Sequence, residues 1–303
     1  MSKTRTRSVL PWQAWLGLGV LAVLALVVLA ARWAWALAPV AGFVARYPGV
    51  ASGAELTGTP AWVATLHGAN VVLMSLAVRS GISLSMGGRP AGHWTRRVSR
   101  RARARGVRTS PITLEQWFHV AVDLAWLACG LAYVVLLVSS GRWVRLVPQS
   151  LDVLPNALSV VLQYLALEWP TESGWVAYNA LQMLGYALVV FVLAPLAVLS
   201  GLRTSVLWPA RGPLGRMVSE HWARSVHLPV MVGFIAFVVV HVGLVLASGA
   251  VRTLNHMFGA RNDTSPVGVL VALGVIALAV VAWSLVRPSV LRTLGAVAGT
   301  VTR

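Results

Sequence analysis

RSVHLPVMVGFIAFVVVH, residues 224–241, decides how this chain is read. Sixteen of its eighteen side chains carry no titrating group in the histidine range; the other two are His227 and His241, fourteen positions apart. Fourteen residues of α-helix rise about 21 Å and return to within about 40° of the same face. One apolar helix therefore carries two imidazoles on one side, separated by most of a bilayer core roughly 30 Å thick. Ionisable groups at membrane depth are costly and point to function, and imidazole is a common axial ligand of haem iron.

Working outward, the 303 residues are 57% apolar and 11% charged, with a mean hydropathy of +0.75. This composition excludes a water-soluble globular domain. Apolar runs long enough to span a membrane occur at about 12–37, 61–84, 115–139, 176–200, 226–248 and 266–286. The fold expected is therefore all-α and integral to the membrane. The first run follows a basic start (Lys3, Arg5, Arg7) like a signal peptide. It is long for one, and its small-residue site at Ala36 to Ala38 is followed by Pro39, so a retained anchor helix is expected. Cys129 is the single cysteine, which excludes a disulfide framework, a Cys-x-x-Cys metal pair and covalently attached haem.

The net charge of +17 is distributed by topology. Eight arginines crowd 89–108 (Arg89, Arg96, Arg97, Arg100, Arg101, Arg103, Arg105 and Arg108), and a six-helix threading puts 19 of the 25 basic residues on one side. Arg32, Arg46, Arg142, Arg145, Arg252 and Arg261 fall on the other. Short-loop bias of this size predicts a multi-pass protein with both termini in the cytoplasm. The arginine-rich loop reads as topology and lipid-headgroup contact, or as a docking surface for an acidic partner; nucleic acid is not expected as a partner.

Local signals fill in the rest. Residues 148–168 read as a non-spanning amphipathic helix with Leu151, Leu154, Leu158, Leu162 and Leu165 on one side. Thr113 to Gln116 fits a capping box opening the third span. Pro170 to Gly174 breaks the chain before the fourth, and Pro195 and Pro229 fall inside helices.

Four of the seven histidines fall inside predicted spans. The arginine-derived topology places His67 and His241 near the outer surface and His119 and His227 near the inner one. Depth thus pairs His67 with His241 and His119 with His227. Interhelical hydrogen bonding is the ordinary role of a single membrane histidine; four at two matching depths point to haem ligation. Asp123, one turn after His119, reads either as that imidazole's partner or proton carrier, or as a partner of Arg79. Arg79 and Arg224, at the cytoplasmic edge, suit haem propionates, although topology alone would also place arginines there. Gly130, Gly185 and Gly233 would let a flat ring approach the backbone, or serve ordinary helix packing.

Four stretches resemble the di-haem cytochrome b subunits of membrane oxidoreductases: the formate dehydrogenase gamma, nickel-iron hydrogenase cytochrome b and thiosulfate reductase cytochrome b subunits, with bacterial cytochrome b561-like proteins. They are Leu66-His67-Gly-Ala-Asn70 leading to Val78-Arg79-Ser80-Gly81, Trp117-Phe-His119, Tyr178-Asn179-Ala-Leu-Gln182, and Arg224-Ser-Val-His227 through His241. The resemblance covers roughly 60–250. It implies a four-helix haem-binding bundle with extra N- and C-terminal transmembrane helices, divided as an anchor (1–40), a cytochrome b domain (60–250) and a last helix with its tail (264–303). It implies two non-covalent b-type haems on His67, His119, His227 and His241. It also implies a quinone pocket near Asn179 and Gln182, on the side of His67 and His241. Such subunits anchor a separate catalytic oxidoreductase subunit, often molybdopterin-dependent, and exchange its electrons with the quinone pool. The added helix at 12–37 inverts this bundle relative to the formate dehydrogenase subunit, leaving the side of quinone binding open.

The function expected is an electron-transfer subunit rather than the catalytic subunit of an enzyme. A self-contained cytochrome b561-type oxidoreductase, a proton path using histidine and Asp123, and a redox-silent anchor stand as alternatives.

Overall fold

A computed structural model describes residues 12–50, 56–104, 109–169, 174–208 and 217–302. The basic start at Lys3, Arg5 and Arg7, with Arg105, Arg108 and the break at 170–173, lies outside the described residues. Among the described residues six helices are long and apolar enough to cross a membrane: α1 (Trp12–Trp35), α3 (Ala61–Ser85), α5 (Leu114–Ser139), α7 (Ala180–Thr204), α8 (Glu220–Ala247) and α10 (Val267–Leu285). Shorter helices intervene at α2 (Ala38–Arg46), α4 (Arg100–Ala104), α6 (Val153–Leu165), α9 (Ala250–Leu254, continued by a π turn at Asn255–Gly259) and α11 (Pro288–Ala298). The expected all-α membrane fold is what the chain adopts.

Helix ends follow local chemistry. The Thr113 hydroxyl accepts from Gln116 N at 3.1 Å and Gln116 Oε1 from Thr113 N at 3.0 Å, the reciprocal capping box expected there. The fifth span starts earlier than its apolar run because Ser219 accepts from Trp222 N at 3.1 Å. The fourth starts later because Asn179 and Gln182 form a cap of their own. In α7 a π turn (Val189–Leu193) comes just before Pro195; proline supplies no N–H to the preceding turn, and the wider turn absorbs the mismatch. α8 runs unbroken through Pro229.

The chain divides into two compact units, 1–55 with 144–184 and 56–143 with 185–303. In the first, α1 and α2 pack against α6. The buried face of α6 sets polar side chains among Val153, Ala157 and Val160: Asn156 Oδ1 accepts from Gly49 N at 2.9 Å, and Gln163 Nε2 donates to Pro48 O at 3.1 Å. Its leucine face (Leu154, Leu158, Leu165) is exposed, as suits a helix turned toward lipid.

In the second unit α3 packs closely on α5 and α7 on α8, and α10 lies along α3. Sequence patterning missed one feature, a three-stranded antiparallel sheet in the order β2-β1-β3 (β1 His93–Arg96, β2 Ile112–Thr113, β3 Gly299–Thr302). It ties the arginine-rich loop to the C-terminal segment, with His93 opposite both Thr113 and Thr302. Trp94 anchors it, donating to Gly295 O at 3.1 Å and stacking on Trp117.

Candidate functional site

Seven-residue spacing along α8 puts His227, Phe234 and His241 on one face. Opposite them, α5 presents His119 and Trp126, and α3 presents His67. The structure joins the four histidines in the two pairs that depth predicted. The rings of His119 and His227 lie 6.4 Å apart by centroid, and those of His67 and His241 also 6.4 Å. Each pair spans from the α3–α5 side of the bundle to the α7–α8 side.

The two pairs have different surroundings. His119 Nδ1 lies 2.8 Å from Ser80 Oγ, and His227 Nδ1 3.0 Å from Ser200 Oγ. An apolar cavity adjoins this pair, bounded by Met74, Ala77, Leu127, Ala197 and Met231 with the Asp123 carboxylate. Asp123 Oδ2 stands 3.5 Å from His119 Nε2. The alternative partner, Arg79, instead donates to Ser83 Oγ and lies over the Trp283 ring at 5.8 Å. At the other pair Phe237 stacks on His241, centroids 5.5 Å apart and planes 8° from parallel. Tyr186 meets His241 at 6.0 Å and Phe258 meets His67 at 5.3 Å, both edge-on. Between the pairs Trp126 meets Phe234 at 5.9 Å, and its Nε1 donates to Asn70 Oδ1 at 2.8 Å.

The other expected residues fall as follows. Arg224 pairs with Glu220, donating from Nε at 2.9 Å. Asn179 and Gln182 form a second reciprocal cap: Gln182 N donates to Asn179 Oδ1 at 2.9 Å and Asn179 N to Gln182 Oε1 at 3.1 Å. Asn179 is buried and also donates to the Tyr164 hydroxyl at 2.9 Å. His93 and His221 are exposed, and His256 Nε2 is held by Asn262 Oδ1 at 2.9 Å in the turn before α10. Burial lowers the His256 pKa against the opposing pull of that hydrogen bond. Of the three glycines singled out, Gly130 faces open space, while Gly185 and Gly233 contact Phe237 and Leu193. The glycines beside histidines are Gly81 and Gly201: a methyl added there would come within 3.6 Å and 3.2 Å of the His119 and His227 rings. Ser80-Gly81 belongs to a stretch that carries the family resemblance, whereas the Ser-Gly step at 200–201 and the phenylalanine midway between His227 and His241 were visible signals that patterning by histidine alone passed over.

The donor sets fit haem. No group of three or more metal-ligating side chains occurs among the described residues, so the sites are pairs. A porphyrin fills four positions on its iron and asks the protein for one or two axial ligands. Two imidazoles with ring centroids 6.4 Å apart leave room between them for one metal ion, and His119 with His227, and His67 with His241, are the residues that would hold it.

Apolar spanning helices that bring paired imidazoles together at two levels define an integral-membrane b-type cytochrome. The family model described as prokaryotic cytochrome b561 matches residues 58–260, and the chain belongs to that family. Neither the curated proteins nor the solved structures give a match. The protein is thus a multi-pass bacterial membrane cytochrome that binds b-type haem and serves electron transfer.

Proposed function

We propose that the protein holds two b-type haems, one between His67 and His241 and one between His119 and His227, and relays electrons between the quinone pool and a partner oxidoreductase subunit. The observation that carries this reading is the equal 6.4 Å separation of the two pairs, fourteen residues apart on α8. Bound haem supplies reversible one-electron iron chemistry, and the protein contributes position, axial ligation and an apolar surround. Arg79 and Arg224, one residue before Ser80 and three before His227, are the candidate propionate partners at the His119/His227 end. A quinone carbonyl bound beside the Asn179/Gln182 cap would be met by Gln182 Nε2, whose N–H groups the cap does not use. The arginine bias supports cytoplasmic termini, with the His119/His227 pair on the cytoplasmic side.

The same family also supports a second reading, a self-contained b561-type oxidoreductase that needs no partner. Reduced-minus-oxidised spectra with a pyridine haemochrome assay test the haem assignment. Two b haems per chain are expected, falling to one in His241→Ala. One haem in the wild type, or none, overturns the relay. Reduction of the purified chain by quinol alone, followed by turnover with a small-molecule acceptor, would favour the self-contained enzyme.

A further inference from the structure

The hydroxyls beside His119 and His227 have one proton each, and each lies within hydrogen-bond reach of a carbonyl of its own helix. Ser80 Oγ donates to Leu76 O at 2.8 Å, and Ser200 Oγ donates to Leu196 O at 2.6 Å. A hydroxyl oxygen whose proton goes to its own helix accepts from the imidazole; Nδ1 then carries the hydrogen, and Nε2 keeps its lone pair, the form a metal requires. The two serines are buried, at 2% and 0% exposure, so water does not compete for the contact.

The arrangement occurs twice with the same parts. Ser80-Gly81 on α3 receives the histidine of its packing partner α5, and Ser200-Gly201 on α7 receives the histidine of its partner α8. In each step serine fixes the ring's edge while the following glycine leaves space for its body. Asp123, 3.5 Å from Nε2 and making no hydrogen bond to it, does not supply this orientation. The other pair has no equivalent. Among the described residues no hydrogen bond reaches His67 or His241, whose rings meet Phe237, Tyr186 and Phe258.

We propose that Ser80 and Ser200 are positioning residues of the His119/His227 haem, fixing both imidazole tautomers and lowering that haem's reduction potential, with no counterpart at His67/His241. The proposal rests on the ligand assignment above. An acceptor on Nδ1–H raises the basicity of the ligating nitrogen, and a more basic ligand favours the oxidised iron. One of the two haems is thus tuned by hydrogen bonding and the other by aromatic packing.

Redox titration of the purified chain, followed optically, separates the inference from its foundation. His119→Ala identifies the wave belonging to this pair. Ser80→Ala and Ser200→Ala are each expected to raise the potential of that wave alone, and to weaken haem retention there roughly 10–100-fold. Ser80→Thr and Ser200→Thr keep the accepting oxygen and are expected to hold the wild-type potential. Unchanged potentials in the alanine variants, a shift in the other wave, or threonine behaving as alanine would overturn the proposal with two haems still bound. Where an alanine variant loses this haem outright, the comparison passes to threonine: a retained haem at the wild-type potential supports the proposal, and loss of haem in both overturns it. Wild-type protein without two resolvable haems would instead defeat the relay reading.

Discussion

Trp126 meets Phe234 edge to face, ring centroids 5.9 Å apart, at the level midway between His227 and His241 on α8. This contact joins α5 to α8 where neither histidine pair does, and Asn70 on α3 holds the indole from the far side. The aromatic pair is thus both the middle layer of the bundle's packing and the material between the two proposed haems.

Phe234 is buried, so Phe234→Ala is expected to leave a cavity and cost on the order of 3 kcal/mol. Both histidine pairs keep their own contacts, so haem content should stay at the wild-type value while thermal stability falls. Melting followed by Soret absorbance checks this. Loss of haem at unchanged stability would show that the layer acts on ligation instead.

The Asn179/Gln182 cap gives a way to separate structure from ligand binding. Asn179→Ala removes an N-cap acceptor and should cost about 1 kcal/mol. Gln182→Glu keeps the Oε1 acceptor but loses the amide donor; it should preserve stability and reduce quinol oxidation. Melting curves and quinol-dependent haem reduction, measured on the same preparations, distinguish the two effects.

Gly268 lies against the backbone of Asn255, which is fully buried and whose Oδ1 accepts from Gly268 N at 2.5 Å. A methyl at Gly268 would collide with main chain that cannot move aside. Gly268→Ala is therefore expected to destabilise by roughly 1–3 kcal/mol. Gly274→Ala, in the same helix with nothing within 4 Å of its added methyl, should change stability by no more than about 0.5 kcal/mol. Equal melting temperatures for the two variants would refute the packing argument.

Asp263 orders the turn between α9 and α10. Its carboxylate accepts from Ser265 Oγ at 2.7 Å, Ser265 N at 3.0 Å and Arg261 Nε at 2.8 Å. The Ser265 hydrogen bond, then Arg261, brings its pKa down to about 2 from 3.8. A depressed carboxylate stabilises the fold above its unfolded pKa, and that contribution disappears as pH falls through the folded value. The melting temperature should therefore decline between pH 4 and pH 2, and Asp263→Asn should be lower at neutral pH and flatter across this window. Parallel slopes in the two proteins would count against the assignment.

Much of the site was legible because membrane chemistry makes it so. Polar side chains are rare at depth, so His67, His119, His227 and His241 stood out, and arginine bias ordered them by depth before any contact was known. Most span boundaries were equally readable, the starts of the fourth and fifth spans excepted, because apolar length and caps such as Thr113 with Gln116 act over a few residues. Three features were not readable. The β2-β1-β3 sheet joins segments some 200 residues apart, and four-residue strands carry too little pattern to announce a partner. Asn179 and Gln182 resemble a ligand motif, yet their spacing equally satisfies a helix cap. Serine back-bonding within a helix is ordinary, so Ser80 and Ser200 gained meaning only when another helix brought an imidazole to each.

By itself, then, the sequence determined the solvent this chain folds in, the number of its spans and the residues that face one another in depth, because burial in lipid and helical periodicity act locally. Tertiary structure alone decided which hydroxyl stands beside each of His119 and His227, what surrounds each pair, and that Trp126 and Phe234 lie between them. Those depend on distances between helices, and a distance between helices is set by packing that no single helix encodes.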